Sequence, residues 1–274
     1  MNEEVFAAAN DALSRGETVA LVTIVRAQGS TPQRVGAKML VYADGRTVGT
    51  IGGGCYEHDA FWKAREAIAS GQPALIRYEL SDDFAEENGL ICGGQMEVYV
   101  EPLTAAPRLY IVGAGHVGWH LARLAQEAGF RIHVVDDREK FANAERFPEA
   151  ADIVVDEISS WLESAEIPPE SYVTIVTRGH QHDLSALRAL ARRPLRYLGM
   201  IGSRAKVTRV YDALVAEGID ADALKRVHAP IGFDIGAVTP AEIAVSILAE
   251  MIAVRHGKLD PPRSLRYEPK SLKV

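Results

Sequence analysis

Hydrophobic positions along this chain follow two different periods, and the changes between them mark out its elements. Val5, Phe6, Ala9 and Leu13 recur at helical spacing and stop at Gly16, which predicts a first helix. A β-branched run over residues 18–25 reads as a buried strand, and residues 37–42 read as a second. Asp44-Gly45 is a hairpin pair that turns the chain into a third strand over 47–51. After Gly52-Gly53-Gly54-Cys55, residues 57–70 form a helical pattern capped by Gly71, and 74–80 and 96–100 are further strands. The loop between those two strands ends in Ile91-Cys92-Gly93-Gly94. Strands and helices in this order predict a small α/β domain with a mixed sheet.

From residue 107 onward the pattern becomes regular. Strand-like segments at 109–112, 132–135, 153–155, 172–177 and 197–201 are mostly separated by helical stretches. Such alternation predicts a Rossmann-like, doubly wound parallel sheet with helices on both faces. The last helix has a complete start signal: Thr239 as N-cap, Pro240 at the first position and Glu242 closing a capping box, with Gly257 at its end. Two prolines among small residues between Glu101 and Pro107 predict a linker. The expected domains are residues 1–103 and 107–258, followed by a polar, extended tail over 259–274.

Composition narrows the function. The 274 residues are 47% hydrophobic and carry a formal charge of −7, which argues against a nucleic-acid or anionic-membrane binder. The first fifteen residues lack the pattern of a secretory signal, and no apolar run reaches the ~18 residues of a membrane span. The nearest stretch, 243–254, is short and contains Glu250. Cys55 and Cys92 are the only cysteines, too few for a disulfide framework and in keeping with a reducing, cytoplasmic setting.

Gly113-Ala114-Gly115-His116-Val117-Gly118 has the strand before it and the helix after it that a dinucleotide fingerprint requires, with Asp136 about 20 residues further on. Glycines allow a tight turn and close backbone approach, while the helix N-terminus offers N–H groups to a pyrophosphate. Gly113, Gly115, His116 and Gly118 would meet the phosphates, and Asp136 would accept hydrogen bonds from a ribose diol, a role that disfavours a 2′-phosphate. Arg138 keeps the phosphorylated alternative open. The plainer reading keeps these glycines for packing alone.

The other candidates are loops. Gly53 and Gly54 free the backbone before Cys55, which would sit at a helix N-terminus where the dipole favours thiolate. Cys92 has a similar glycine setting. Each cysteine alone reads first as a small buried hydrophobe; as the only two, both beside glycines, they point together to function, and neither belongs to a CxxC zinc pair. Gly29-Ser30-Thr31-Pro32-Gln33-Arg34 offers the Ser30 hydroxyl and the Arg34 guanidinium to an anion, or is an ordinary turn. In the second block, Gly179-His180-Gln181-His182-Asp183 follows the fourth strand, at the edge where such sheets bind ligands. Gly179 and His180 are contact candidates, a metal site there lacks partners, and Asp183 reads as a helix N-cap. Gly202-Ser203-Arg204-Ala205-Lys206 follows the fifth strand and presents N–H groups, a hydroxyl and positive charge.

Taken together, these residues resemble the XdhC/CoxI family. Ser30-Thr31-Pro32, Gly36-Ala37-Lys38-Met39, Gly52-Gly53-Gly54-Cys55 and Cys92-Gly93-Gly94 look like its N-terminal domain. The fingerprint, Thr177-Arg178-Gly179-His180, Gly199-Met200-Ile201-Gly202-Ser203-Arg204, Pro230-Ile231-Gly232, Ile235-Gly236-Ala237 and Thr239-Pro240 look like its Rossmann domain. In one departure, Gln33 stands directly after Pro32 where the family has Arg, and Arg34 comes next.

The resemblance implies a dimeric accessory protein without turnover of its own that binds the molybdenum cofactor, a pyranopterin with or without a nucleotide. Such a protein assists sulfuration of the cofactor by a cysteine desulfurase and its insertion into xanthine dehydrogenase or a related molybdenum hydroxylase. Cys55 and Cys92 would then face the metal or its sulfur, because thiolates suit such centres. Two other readings compete: an NAD(P)-dependent oxidoreductase with His180 or Tyr197 as proton donor, and a docking scaffold whose nucleotide site is structural.

Overall fold

The computed structural model describes residues 2–79 and 94–259. The chain divides between Ala106 and Pro107 into two compact units. In the first, α1 (Asn2–Arg15) is followed by β1 (Val19–Gln28), β2 (Lys38–Tyr42), β3 (Thr47–Gly49), α2 (Gly54–Ser70), β4 (Ala74–Glu79) and β5 (Gln95–Leu103). The sheet order is β3-β2-β1-β5-β4. Its four pairings are all antiparallel, where the sequence suggested a mixed sheet. Helices cover both faces, so β2 is an unbroken apolar run after Lys38. Met39 and Val41 face the core beneath α2, while Leu40 and Tyr42 pack with α1.

Two local expectations change. Helix α1 rests on the sheet through Val5, Ala9 and Ala12, and Phe6 is 51% exposed. Phe6 stands at the rim, where the Lys38 ammonium lies 5.8 Å from its ring centroid. The expected linker is shorter, because Glu101, Pro102 and Leu103 still pair with β1. Cys92 and the tail from Asp260 lie outside the described residues.

The second unit runs β6 (Arg108–Val112), α3 (His116–Glu127), β7 (Arg131–Asp136), β8 (Asp152–Val155), α4 (Ile158–Ser164), β9 (Tyr172–Ile175), α5 (His180–Leu190), β10 (Tyr197–Met200), α6 (Arg204–Ala216), α7 (Ala221–Lys225) and α8 (Pro240–Arg255). Its sheet is parallel in the order β10-β9-β6-β7-β8. Alternation along β6 sends Leu109 and Ile111 to the core under α3 and α8, and Tyr110 and Val112 to the core under α4, α5 and α6. The strand order reverses between β6 and β9. The loops leaving those two strands therefore flank the switch point at which doubly wound sheets bind ligands.

Helix α8 begins with the expected capping box: Glu242 N donates to Thr239 Oγ1 at 3.3 Å, and Thr239 N to Glu242 Oε2 at 2.8 Å. Among the described residues, no helix is long and apolar enough to cross a membrane.

Candidate functional site

The three fingerprint glycines do different work. Gly113 has φ +114°, and a β-carbon there would fall 2.6 Å from the Val176 carbonyl oxygen. A β-carbon on Gly118 would fall 2.1 Å from the Gly113 carbonyl oxygen, so Gly118 lets α3 pack onto the turn. Around Gly115 there is nothing within 4 Å of such an atom, and its φ of −68° suits any residue. Gly115 is also the N-cap of α3 and makes no side-chain cap. The turn is thus filled from below at its outer glycines and bare at the middle one, beside N–H groups that a phosphate can accept from. His116 is exposed next to it.

Asp136 holds this turn from beneath. It is 1% exposed. Its Oδ2 accepts from Ala114 N at 2.8 Å and from the Arg138 guanidinium at 2.9 Å, and its Oδ1 accepts from Arg138 N at 3.0 Å and Nε at 2.8 Å. Burial alone raises the pKa of such a carboxyl. The Arg138 side chain and the Ala114 N–H outweigh burial and leave it below the ordinary carboxylate range. Both oxygens accept from these donors in the free protein, so Asp136 anchors the turn, a role the sequence did not suggest beside its ribose contact. Arg138 is fixed on it and lies over the Phe141 ring, 4.0 Å from the centroid.

Beside the switch point, Gly179 is the N-cap of α5 and His180 its first residue, exposed to solvent. The helix begins four residues earlier than an Asp183 cap would have it. Asp183 is instead fully buried, accepts from Thr177 Oγ1 at 2.6 Å and pairs with the Lys206 ammonium. Ser203 caps α6 through the Lys206 N–H at 3.3 Å. Between α5 and α6 lies a cavity of about 620 Å³ lined by Arg178, Gly179, His180, Ser203, Lys206 and Arg209, over an apolar base that includes Leu184 and Val210. Gly202 and Arg204 are not among its lining residues. A larger cavity, about 770 Å³, lies against the outer flank of α3 and the 145–150 segment; of the residues named from sequence only the capping Glu242 lines it, and none of the candidate binding residues does.

Tyr197 does not line the site at all. It is 1% exposed and donates to Glu250 Oε2 at 2.5 Å. The same carboxylate accepts from Gly232 N at 3.0 Å and pairs with His228 Nδ1 at 3.2 Å. A tyrosine sealed in this network cannot give a proton to a substrate, which corrects the expectation of Tyr197 as a donor. Among the described residues, no three His, Cys, Asp or Glu side chains gather as metal ligands.

In the first unit, loops converge at one end of the sheet. A β-carbon on Gly52 (φ +126°) would fall 2.4 Å from Pro32 Cβ, and one on Gly94 would fall 2.5 Å from the Ser30 carbonyl oxygen. The Ser30–Arg34 loop, the glycine turn before Cys55 and the residue two after Cys92 are therefore neighbours. Gly53 is the N-cap of α2, Gly54 its first residue, and Cys55 its second, partly buried. Ser30 and Arg34 are exposed, whereas Thr31 Oγ1 donates to Gln33 O at 3.0 Å within its own turn.

Sequence reasoning missed Glu57, which organises that turn. Its Oε2 accepts from Thr50 Oγ1 at 2.5 Å, Ile51 N at 2.9 Å and Gly53 N at 3.1 Å. Partial burial raises its pKa, but the Thr50 hydroxyl and the backbone N–H groups prevail and keep it lowered. A Glu shortly after a run of glycines is the available signal.

A doubly wound sheet with a bare glycine turn at its switch point defines a Rossmann-type α/β unit, joined in this chain to an antiparallel unit with a glycine-cysteine turn. Family models agree: the XdhC Rossmann domain matches residues 109–251, and the XdhC and CoxI family matches residues 12–79. The chain belongs to the XdhC and CoxI family. It is 37% identical to the uncharacterized protein YqeB of Escherichia coli K12 over 87% of its length, while spanning 44% of that protein. It is 24% identical to a probable xanthine dehydrogenase subunit of Bacillus subtilis 168 (87% of this chain, 94% of that one). Identity to the molybdenum cofactor insertion chaperone PaoD of E. coli K12 is 28% (93% and 90%). The crystal structure of a protein described as a xanthine dehydrogenase from Bacillus halodurans shares the fold, with a TM-score of 0.51, 23% identity and coverage of 95% and 98%.

Proposed function

We propose that this protein is a maturation factor for the molybdenum cofactor. It holds the cofactor by a phosphate or nucleotide portion at the Gly113–Gly118 turn and passes it to xanthine dehydrogenase or a related molybdenum hydroxylase. The observation that carries the reading is the open space at Gly115 in a turn whose other two glycines are fully enclosed. Family membership and the likeness to PaoD, named as a cofactor insertion chaperone, support the cargo. His116, Gly179, His180 and Ser203 border the same edge of the sheet, and Asp136 keeps the turn in shape.

Cys55, partly exposed at a turn held by Glu57, is a thiol suited to meet a molybdenum centre or its sulfur. Installation of that sulfur by a cysteine desulfurase, a homodimeric assembly and a cytoplasmic location belong to the same proposal. The buried Tyr197 weighs against the oxidoreductase reading.

The test is purification from cells with and without cofactor synthesis. The fluorescence of oxidised pterin should accompany the protein only from the former, and should fall in Gly115→Asp. Protein that carries no pterin from either source refutes the proposal.

A further inference from the structure

Two arginines follow the strands on either side of the one that ends in the glycine turn, and they are held differently. Arg138 is locked onto the buried Asp136 and stacked on Phe141. Arg178 is 49% exposed, and its Nη2 donates to Asp137 Oδ2 at 2.7 Å. Asp137 follows β7 and Arg178 follows β9, while β6 with its Gly113 turn lies between those strands. The ion pair therefore bridges the loops on either side of the phosphate cradle.

Arg178 also lines the 620 Å³ cavity with His180, Lys206 and Arg209, and no carboxylate is among the described residues lining it. Of the lysine and arginines here, Lys206 is committed to the fully buried Asp183. The partner of Arg178 is a carboxylate 26% exposed, and with the guanidinium half exposed the pair is open to screening by water. A phosphate offers a guanidinium two oxygens and more charge than a carboxylate does. Losing Arg178 would not leave Asp137 alone, since Arg138 Nε lies 3.6 Å from its Oδ1.

We propose that Arg178 is a partner-exchanging cation. Asp137 holds it across the Gly113 turn in the free protein, and a phosphate group arriving at that turn takes it over. Asp137 is thereby a built-in competitor for the anion, and Arg178 a binding residue for phosphate. This rests on reading Gly113–Gly118 as a phosphate cradle.

The test is calorimetric titration of the full chain with inorganic pyrophosphate, which has no base or pterin to confuse the result. Arg178→Gln should weaken binding about tenfold and Asp137→Asn should tighten it about fivefold. In the Arg178→Gln background, Asp137→Asn should give no gain, because Asp137 acts through Arg178. A gain of equal size in both backgrounds overturns the exchange, since Asp137 then repels the anion directly, and so does unchanged binding by Arg178→Gln. Gly115→Asp separates the two ideas. If it abolishes binding while Arg178→Gln does not weaken it, the cradle stands and the exchange fails. Pyrophosphate binding that survives Gly115→Asp, or no binding by the wild type, overturns both.

Discussion

Glu57 reaches back from the first turn of its helix to accept the Gly53 N–H at 3.1 Å, with Thr50 and Ile51 on the same oxygen. One carboxylate thus fixes the run of left-handed glycines that presents Cys55. Replacing it with Gln leaves the shape but removes the charge and one acceptor role. Glu57→Gln should cost about 1–2 kcal/mol in urea unfolding at neutral pH. Because the folded pKa lies below the unfolded 4.5, wild-type stability from this group is present above that value and lost as pH falls through the folded pKa. The difference between wild type and variant should shrink on acidification, and a constant difference would show that charge is not the cause.

Gly115 and Gly118 should respond oppositely to the same change. Gly118→Ala pushes a β-carbon to 2.1 Å from a backbone oxygen, so the turn must move. It should lose about 1–3 kcal/mol of stability. Gly115→Ala meets open space at an ordinary φ and should stay within about 0.5 kcal/mol. Thermal unfolding of both checks the pair, and equal losses would mean that the middle glycine is a packing residue after all.

Tyr197→Phe keeps the ring that packs against His228 and removes the donor to Glu250. Burial followed by the nearby carboxylate keeps that phenol protonated, its pKa well above the ordinary value. The loss should be about 1.5–3 kcal/mol, as for a hydrogen bond to a charged group, with pyrophosphate affinity unchanged. Denaturant unfolding and calorimetry read the two effects separately, and a fall in affinity would place Tyr197 in the binding machinery.

Much of this was legible in the sequence because it is written in short range. The β2 run is continuously apolar because helices cover both of its faces. Thr239, Pro240 and Glu242 carry their capping box within four residues. What escaped depends on partners far along the chain. Asp183 looks like a cap until Thr177 and Lys206 are brought to it, and Tyr197 looks available until Glu250, 53 residues on, encloses it. Asp136 has its main partner only two residues away, yet its direction is set by the Ala114 N–H across the strands. Phe6 fell on the predicted apolar face, but the alanines of α1 leave it at the edge of the sheet.

Cys55 is partly exposed, so its removal tests chemistry more than packing. Cys55→Ala should change unfolding free energy by no more than about 0.5 kcal/mol and lower the amount of pterin that accompanies the protein. Undiminished pterin content would return Cys55 to a packing role.

The central claim is that the bare backbone at Gly115 receives the phosphate of a pterin cofactor. Mass spectrometry of the small molecule released on gentle denaturation, from protein made in cells competent for cofactor synthesis, addresses it most directly. A pyranopterin phosphate or its nucleotide should appear with wild-type protein and be absent with Gly115→Asp. Release of NAD(P) alone, or equal pterin from both proteins, would contradict the account.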